Sequence, residues 1–476
     1  MLPDAEIYAV LRQFNPWWSE SQSQDLPTWR RAAYREIWEW LNHPPARRAL
    51  LLSGARQVGK TTLFLQAIEG LLKEGIAPAN ILYASFDHPM LKLAGPDELL
   101  RIWQEYDPPS KGPTYLFLDE IQMARDWQTW VKHQVDFGQH RIAMTGSATP
   151  LTRDQQESGV GRWVTTRLAT LSFYEYLQIT DQTFRGLPEL SSLLPLYRWK
   201  PVDFARASQQ ARPLAGLFHE YLLRGGFPEC AQVQNIATAQ RLMREDIVDK
   251  VLKRDMTALF GVRRVLELEQ VFLYLCLHDG GILNIQSMAS SLGMKRPTVA
   301  NFIDLLEATH LIYRLMPFGY GKEVLRGRPK VYLADPAIGP SVLLKGKTLL
   351  EDRTGLGAAV ETAFFKHVYA RFYQQSIGFS YYSGKNQQEV DIIADIEGTQ
   401  VPFEVKYRDQ PFRKSELKGL IEFCTKRDIR RGYLITKNLD HFGPLDTGIN
   451  GMTLLQVPAA MACYWLGQSE LQVGAE

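Results

Sequence analysis

The densest chemistry in this chain lies in GARQVGKTT, residues 54–62. Gly54, Gly59, Lys60 and Thr61 fall at the spacing G-x-x-x-x-G-K-[ST], after an apolar run RALLLSGA and before the helix-like TLFLQAIEGLLKEG. Such a loop turns its backbone N–H groups, and the start of the following helix, toward phosphate oxygens. Lys60 would reach the β- and γ-phosphates, the Thr61 hydroxyl would ligate Mg²⁺, and Thr62 would complete the nucleotide-binding turn. Downstream, the apolar strand YLFLDEI ends in Asp119 and Glu120, placed to hold Mg²⁺ and to orient an attacking water. A second buried strand, RIAMTGSA, ends in Ser147, where a hydroxyl could sense the γ-phosphate. The run ILYASFD (81–87) supplies an extra strand between the loop and the carboxylates. That insertion favours the branch of P-loop ATPases in which a catalytic Glu follows the Mg²⁺-binding Asp. Taken alone, Asp119-Glu120 could cap a helix; in this order the set predicts ATP binding.

A second constellation sits near the C-terminus, in EVDIIADIEGTQVPFEVK (389–406). Two strands flank a Glu397-Gly398 turn, and a two-residue turn there makes paired positions sum to 795. Asp391 then faces Glu404, and Lys406 faces Glu389. Facing carboxylates repel, so the neighbouring lysine, water or a metal ion must compensate them. Pro402 cannot donate to a ladder and so points to an edge or a bulge. Upstream, the helix-like LGAAVETAFFKHVYARFY contributes Glu361. Hard oxygen ligands of this kind suit Mg²⁺, with a lysine to orient water.

These groups need elements to carry them, and 476 residues imply two to four domains. The chain is 45% hydrophobic with a net charge of +2, so only a local basic patch could argue for nucleic acid. One such patch runs from Val401 to Arg431, where nine Lys/Arg stand against five Asp/Glu. The four cysteines are scattered, as expected of reduced buried thiols. The acidic start MLPDAEIYAV and the lack of a long apolar run predict a cytoplasmic protein with no membrane partner. Five of the eleven Trp fall in the first forty residues, which we read as an aromatic clamp onto the next domain rather than a base-stacking surface. In the middle, VLELEQVFLYLCLHDG and NIQSMASSLG read as helices, the second ending at Gly293. RPTVANFIDLLEATHLI follows with Pro297 in its first turn, then a ribbon. That is the order of a winged helix. Lys295, Arg296, Thr298 and Asn301 could face a major groove, with Lys322, Arg326 and Arg328 on the wing; contact with protein alone is the competing reading.

The segments FNPWW, GARQVGKTTL, LFLDEIQ, W..WVK, TGSAT, GRW and LSFYEYL resemble the AAA-type ATPases of bacteria and archaea that carry a C-terminal domain of unknown function. The resemblance implies that Gly59, Lys60 and Thr61 bind ATP·Mg²⁺. It makes Asp119 the metal carboxylate, Glu120 the catalytic one and Ser147 the first sensor. Arg162, in GVGRW, matches an arginine that acts on a neighbouring subunit's nucleotide, which implies a homo-oligomer; a turn arginine with a structural role is its equal alternative. Glu361, Asp391, Glu404 and Lys406 together resemble the PD-(D/E)xK nuclease core. The expected fold is α/β: an aromatic helical segment (1–45), a P-loop AAA-type parallel sheet with flanking helices (46–205), a helical and winged-helix region (206–345), and an α/β nuclease-like domain (346–476). Two functions follow. One is an ATP-driven protein that binds and processes DNA; the other is an ATP-driven switch acting on a protein partner, with a silent nuclease-like domain. A small-molecule kinase fits least, because nothing resembles an acceptor site.

Overall fold

The structure is a computed structural model. It describes residues 3–19, 26–44, 46–148, 161–319, 324, 327–373, 377–384, 388–396, 398–410, 414–449 and 451–471. By internal packing the chain divides into two units, one of residues 1–168 with 258–261 and 308–310, the other of the remainder. No helix among the described residues is long and apolar enough to cross a membrane. All four cysteines are buried and free.

The first unit is built on β1 (Ala49–Gly54), β2 (Ile81–Ser85), β3 (Tyr115–Asp119), β4 (Arg141–Gly146) and β5 (Trp163–Leu168). They pair in parallel in the order β2-β3-β4-β1-β5. Their near-continuous apolar composition is what a parallel sheet covered on both faces requires, and β1, β2 and β3 are buried at every position. The strand that separates β1 from β3 is β4, whereas β2 lies at the sheet edge. The strand expected from residues 81–87 is present as β2, between loop and carboxylates along the chain; in the sheet it is β4 and not β2 that separates them, because spatial order follows the crossovers.

The edge of β2 is covered by FNPWW. Asn15 donates to the Tyr83 carbonyl (2.8 Å) and accepts from the Tyr83 N–H (2.7 Å). The indoles of Trp17 and Trp18 both donate to the Ile81 carbonyl (3.2 and 3.0 Å). An open strand edge is thus closed by side chains, which is the clamp reading of the aromatic segment. The preceding helix Asp4–Phe14 places Ile7 and Leu11 in the same core as Leu99, Trp103, Leu116 and Met144.

In the second unit, among the described residues, the sheet has the order β13-β14-β12-β11-β10-β9-β7-β8-β6. Its strands are β6 (Gly281–Ile282), β7 (Ile312–Pro317), β8 (Lys330–Leu333), β9 (Gly378–Ser383), β10 (Glu389–Ile396), β11 (Thr399–Lys406), β12 (Arg431–Thr436), β13 (Gly443–Asp446) and β14 (Thr453–Pro458). The ribbon β7–β8 joins this sheet through the parallel pair β7–β9. The helix Ile285–Leu292 begins with an Asn284 cap and ends at Gly293 in the left-handed region. The helix Arg296–Ala308 follows, with Val299, Phe302, Ile303 and Leu306 buried. The helix Arg353–Phe372 carries Glu361.

Hairpin β10–β11 has the expected register. Its pairs run from Ile396↔Thr399 to Ile392↔Phe403, each summing to 795. Gly398 supplies the positive φ (78°) of the turn; Glu397 lies outside the described residues. Pro402 marks neither an edge nor a bulge of its own strand. β11 lies inside the sheet, and its ladder with β12 begins only at Phe403, so the proline removes no donor from that ladder. The bulge falls instead on β10 against β9, between Val390 and Ile393, where Asp391 sits.

Candidate nucleotide site and carboxylate cluster

The loop after β1 enters the helix Lys60–Lys73 through Gly59, whose φ of 96° belongs to the left-handed region. No side chain caps that helix start, so its first N–H groups face the loop's concavity. The Lys60 ammonium is buried and donates to the carbonyls of Gly54 (3.0 Å) and Ala55 (2.9 Å) and to Ser147 Oγ (3.0 Å). Thr61 Oγ1 donates to Asp119 Oδ2 at 2.8 Å.

Asp119, at the end of β3, also accepts from Tyr83 (3.0 Å) and Thr145 (2.5 Å). Burial and then the neighbouring Glu120 carboxylate raise its pKa, against the three hydroxyls that lower it. Glu120 stands in the left-handed region (φ 52°, ψ 45°), its N–H bonded to Thr145 Oγ1 at 2.9 Å. Ser147 Oγ donates to both of its oxygens (2.7 and 2.9 Å), and Gln122 donates to one of them. Burial opposes ionisation of Glu120, yet Lys60 at 3.8 Å and the Ser147 hydroxyl hold its carboxyl below the usual range. Gly54, Gly59, Lys60, Thr61, Thr62, Asp119, Glu120 and Ser147 thus lie on one loop, the helix after it and the adjacent ends of β3 and β4. Sequence reading missed Thr145 and Tyr83, although Thr145 shares its strand face with Ser147 by simple alternation. It also missed His310, whose ring lies 2.9 Å from Ser53 Oγ; burial lowers that histidine to about 3.

Arg162 lies at the other end of the sheet. Its carbonyl accepts from the Ala49 N–H, at the entry of β1, roughly 17 Å from the loop at about 3.3 Å per residue. Its guanidinium pairs with Asp136 at 2.8 Å.

In the second unit the four expected residues meet, with one addition. Asp391 Oδ2 accepts from the Val405 N–H (2.8 Å), so its side chain takes up the ladder where backbone pairing with β11 stops. The bulge re-aims that side chain. Lys406 Nζ contacts Glu404 Oε1 at 2.5 Å rather than Glu389. Glu389 is engaged by Lys330, which also reaches Glu361 and Asp391. Tyr332, on the same face of β8, donates to Glu361 at 2.8 Å. Burial and the Asp391 charge push Glu404 up to about 8, and the same two causes raise Glu361. Burial would raise Asp391 as well, but Lys330 and Lys406 hold it low. The sequence signal for Lys330 was a lone charge in the otherwise apolar strand KVYL.

Of the groove candidates, Lys295, Arg296, Asn301 and Arg328 are exposed and Thr298 is half-buried. Lys322 and Arg326 lie outside the described residues.

Residues 46–177 match the family model described as an AAA domain. Residues 215–348 and 356–456 match two models each described as a domain of unknown function, DUF8612 and DUF4143. An uncharacterized protein of Haemophilus influenzae is 26% identical over 373 residues, 75% of this chain and 82% of its own. Two uncharacterized proteins of Methanocaldococcus jannaschii are 24% identical, over 60% of this chain and 60% of the relative, and over 68% and 69%. Among solved structures, the Walker-type ATPase of Pyrococcus abyssi aligns with 65% of this chain and 94% of its own at 15% identity and TM-score 0.37. AMPPCP-bound DnaA of Aquifex aeolicus aligns with 58% and 87%, at 16% identity and TM-score 0.26. The chain carries an AAA domain and resembles AAA-type ATPases, with a DUF4143 domain toward its C-terminus.

Proposed function

We propose that this protein hydrolyses ATP at the loop 54–62, with Asp119, Glu120 and Ser147. The observation that carries the reading is the pairing of Thr61 Oγ1 with Asp119 Oδ2 at 2.8 Å beside an uncapped helix start. Asp119 fits a resident Mg²⁺: it is buried, and its hydrogen-bonded partners Thr61, Tyr83 and Thr145 are all neutral hydroxyls. Thr61 and Asp119 would hold that ion, which neutralises charge on the β- and γ-phosphate oxygens when bound. The loop N–H groups cradle the phosphates. Lys60 exchanges its bonds to the Gly54 and Ala55 carbonyls for phosphate oxygens. Glu120, kept ionised by Lys60 and Ser147, orients water and accepts its proton.

The exposed Lys295, just before the helix Arg296–Ala308, with Arg296 and Asn301 exposed on that helix while Val299, Phe302 and Ile303 are buried, supports DNA contact by the winged-helix-like segment. The competing reading, an ATP-driven switch on a protein partner with a silent nuclease-like domain, is supported by the lysine that fills the carboxylate cluster. Action of Arg162 on a neighbouring chain would require a homo-oligomer. An ATPase assay with and without single-stranded, duplex and branched DNA tests the choice. Stimulation that disappears in Lys295→Glu/Arg296→Glu supports DNA coupling; an ATPase rate indifferent to all three DNAs refutes it.

A further inference from the structure

We infer that the Lys330 ammonium stands where a divalent cation would stand in the carboxylate cluster, so that the folded chain binds no metal there and cleaves no phosphodiester there. The inference concerns the second unit alone and is independent of ATP hydrolysis; it rests on the nuclease-like reading of the hairpin. Lys330 Nζ lies 2.8 Å from Glu361 Oε1, 2.9 Å from Glu389 Oε1 and 2.9 Å from Asp391 Oδ1. Three ammonium protons therefore meet three carboxylates from a helix and two positions of one strand, and the donor capacity of the lysine is used up. Its side chain is 3% exposed, so the contact is a built part of the core and not a surface pair.

A hard cation needs the same oxygens, at about 2.1 Å for Mg²⁺. It cannot share their centre with an ammonium, because the two positive charges would repel at contact distance. Among the described residues no group of three or more His, Cys, Asp or Glu is disposed to hold a metal ion. Lys406, the lysine a nuclease would use to orient water, is itself tied to Glu404. Glu404 Oε2 is buried and has no hydrogen-bond partner, a carboxylate oxygen left over once the two lysines have taken their shares. The neighbouring Thr436 Oγ1 is likewise buried and unpartnered, and Thr436 pairs with Lys406 across β11–β12. Removing the Lys330 ammonium should therefore leave Glu361, Glu389 and Asp391 short of one positive charge around a vacated centre, with Glu404 still paired to Lys406, and a divalent cation can then draw the three carboxylates together.

The test is Mn²⁺ binding by electron paramagnetic resonance on the full chain without nucleotide, in an Asp119→Asn background that silences the nucleotide metal site. With Lys330 intact, no stoichiometric Mn²⁺ should bind. Lys330→Ala, or Lys330→Gln where alanine fails to fold, should gain one Mn²⁺ per chain together with a Mn²⁺-dependent rise in thermal midpoint. Both gains should vanish on adding Asp391→Asn. Stoichiometric Mn²⁺ in the Lys330-intact protein that Asp391→Asn abolishes would overturn the inference. So would a folded Lys330 variant that gains none. Because the Lys330-intact arm needs no new variant at that position, the inference stays decidable even if both substitutions unfold. ATPase activity of the protein without any substitution is measured in parallel, so that failure of the ATP reading is seen separately.

Discussion

Replacing Glu120 by Gln should separate nucleotide binding from hydrolysis, and the structure sets the size of both effects. Gln keeps the shape, and its oxygen still accepts from Ser147 Oγ, which lies 2.7 Å from Oε1. The left-handed backbone at this position (φ 52°) costs about 1–2 kcal/mol for either residue, so no strain is added or removed. What is lost is the attraction to Lys60 at 3.8 Å and the acceptor Oε2, which takes bonds from Ser147 and Gln122; the Gln122 amide can turn its own unpartnered Oε1 toward the new NH2 group. The buried Lys60 ammonium keeps its bonds to Gly54, Ala55 and Ser147 and is not left unpaired, so the net loss is on the order of 1 kcal/mol. If Glu120 accepts the proton, as proposed, that acceptor is lost entirely, and such a group is worth about 10²- to 10⁴-fold in rate, or about 3–5 kcal/mol in the barrier. The Glu120→Gln protein should therefore show a nearly unchanged thermal midpoint and ATP affinity, with single-turnover hydrolysis slowed by at least about 100-fold. Radiolabelled ATP in single turnover and a fluorescent-nucleotide titration read the two quantities. Hydrolysis slowed by less than tenfold, with binding intact, would refute Glu120 as the proton acceptor. Lys60→Ala serves as the contrast, since it should lose binding itself.

Three further perturbations test other parts of the molecule. Asn15→Ala removes bonds of 2.8 and 2.7 Å to the Tyr83 carbonyl and N–H and strands both buried groups; at about 1–3 kcal/mol each, urea denaturation of the ATPase unit should show a loss of roughly 2–5 kcal/mol, and a loss below 1 would deny the edge-capping role. Asp279 is raised by burial from 3.8 to about 7; a raised carboxyl stabilises fully below its unfolded value, and that contribution drains as pH climbs from 3.8 to about 7. Asp279→Asn should accordingly flatten the decline in unfolding free energy over that window, by up to about 4 kcal/mol, as read by urea denaturation at each pH, and an unchanged pH profile would count against it. Arg162→Ala breaks only a half-exposed pair with Asp136, so stability should move by less than about 1 kcal/mol. If Arg162 acts on a neighbouring chain, this variant should bind ATP but turn it over slowly, and mixing with Lys60→Ala should restore some activity; a monomeric protein with full turnover excludes that role.

Local pattern carried much of this molecule. The spacing of Gly54, Gly59, Lys60 and Thr61 and the apolar strands ending at Asp119 and Gly146 depend only on neighbours in the chain, and period and turn chemistry read them directly. The hairpin register was legible for the same reason: Gly398 sets the turn, and alternation then fixes the pairs from Ile396↔Thr399 to Ile392↔Phe403. Two outcomes were decided only when distant segments met. β4 rather than β2 came to lie between β1 and β3, because crossover connections and not chain order set neighbours in a parallel sheet. Lys330, sixty-one residues from Asp391 in the chain, reached the acidic cluster because β7–β8 joined the sheet beside β9. A lone lysine in an apolar strand announces that its charge must be met. Which carboxylates meet it, and that they thereby lose their room for a metal, is a property of the assembled sheet.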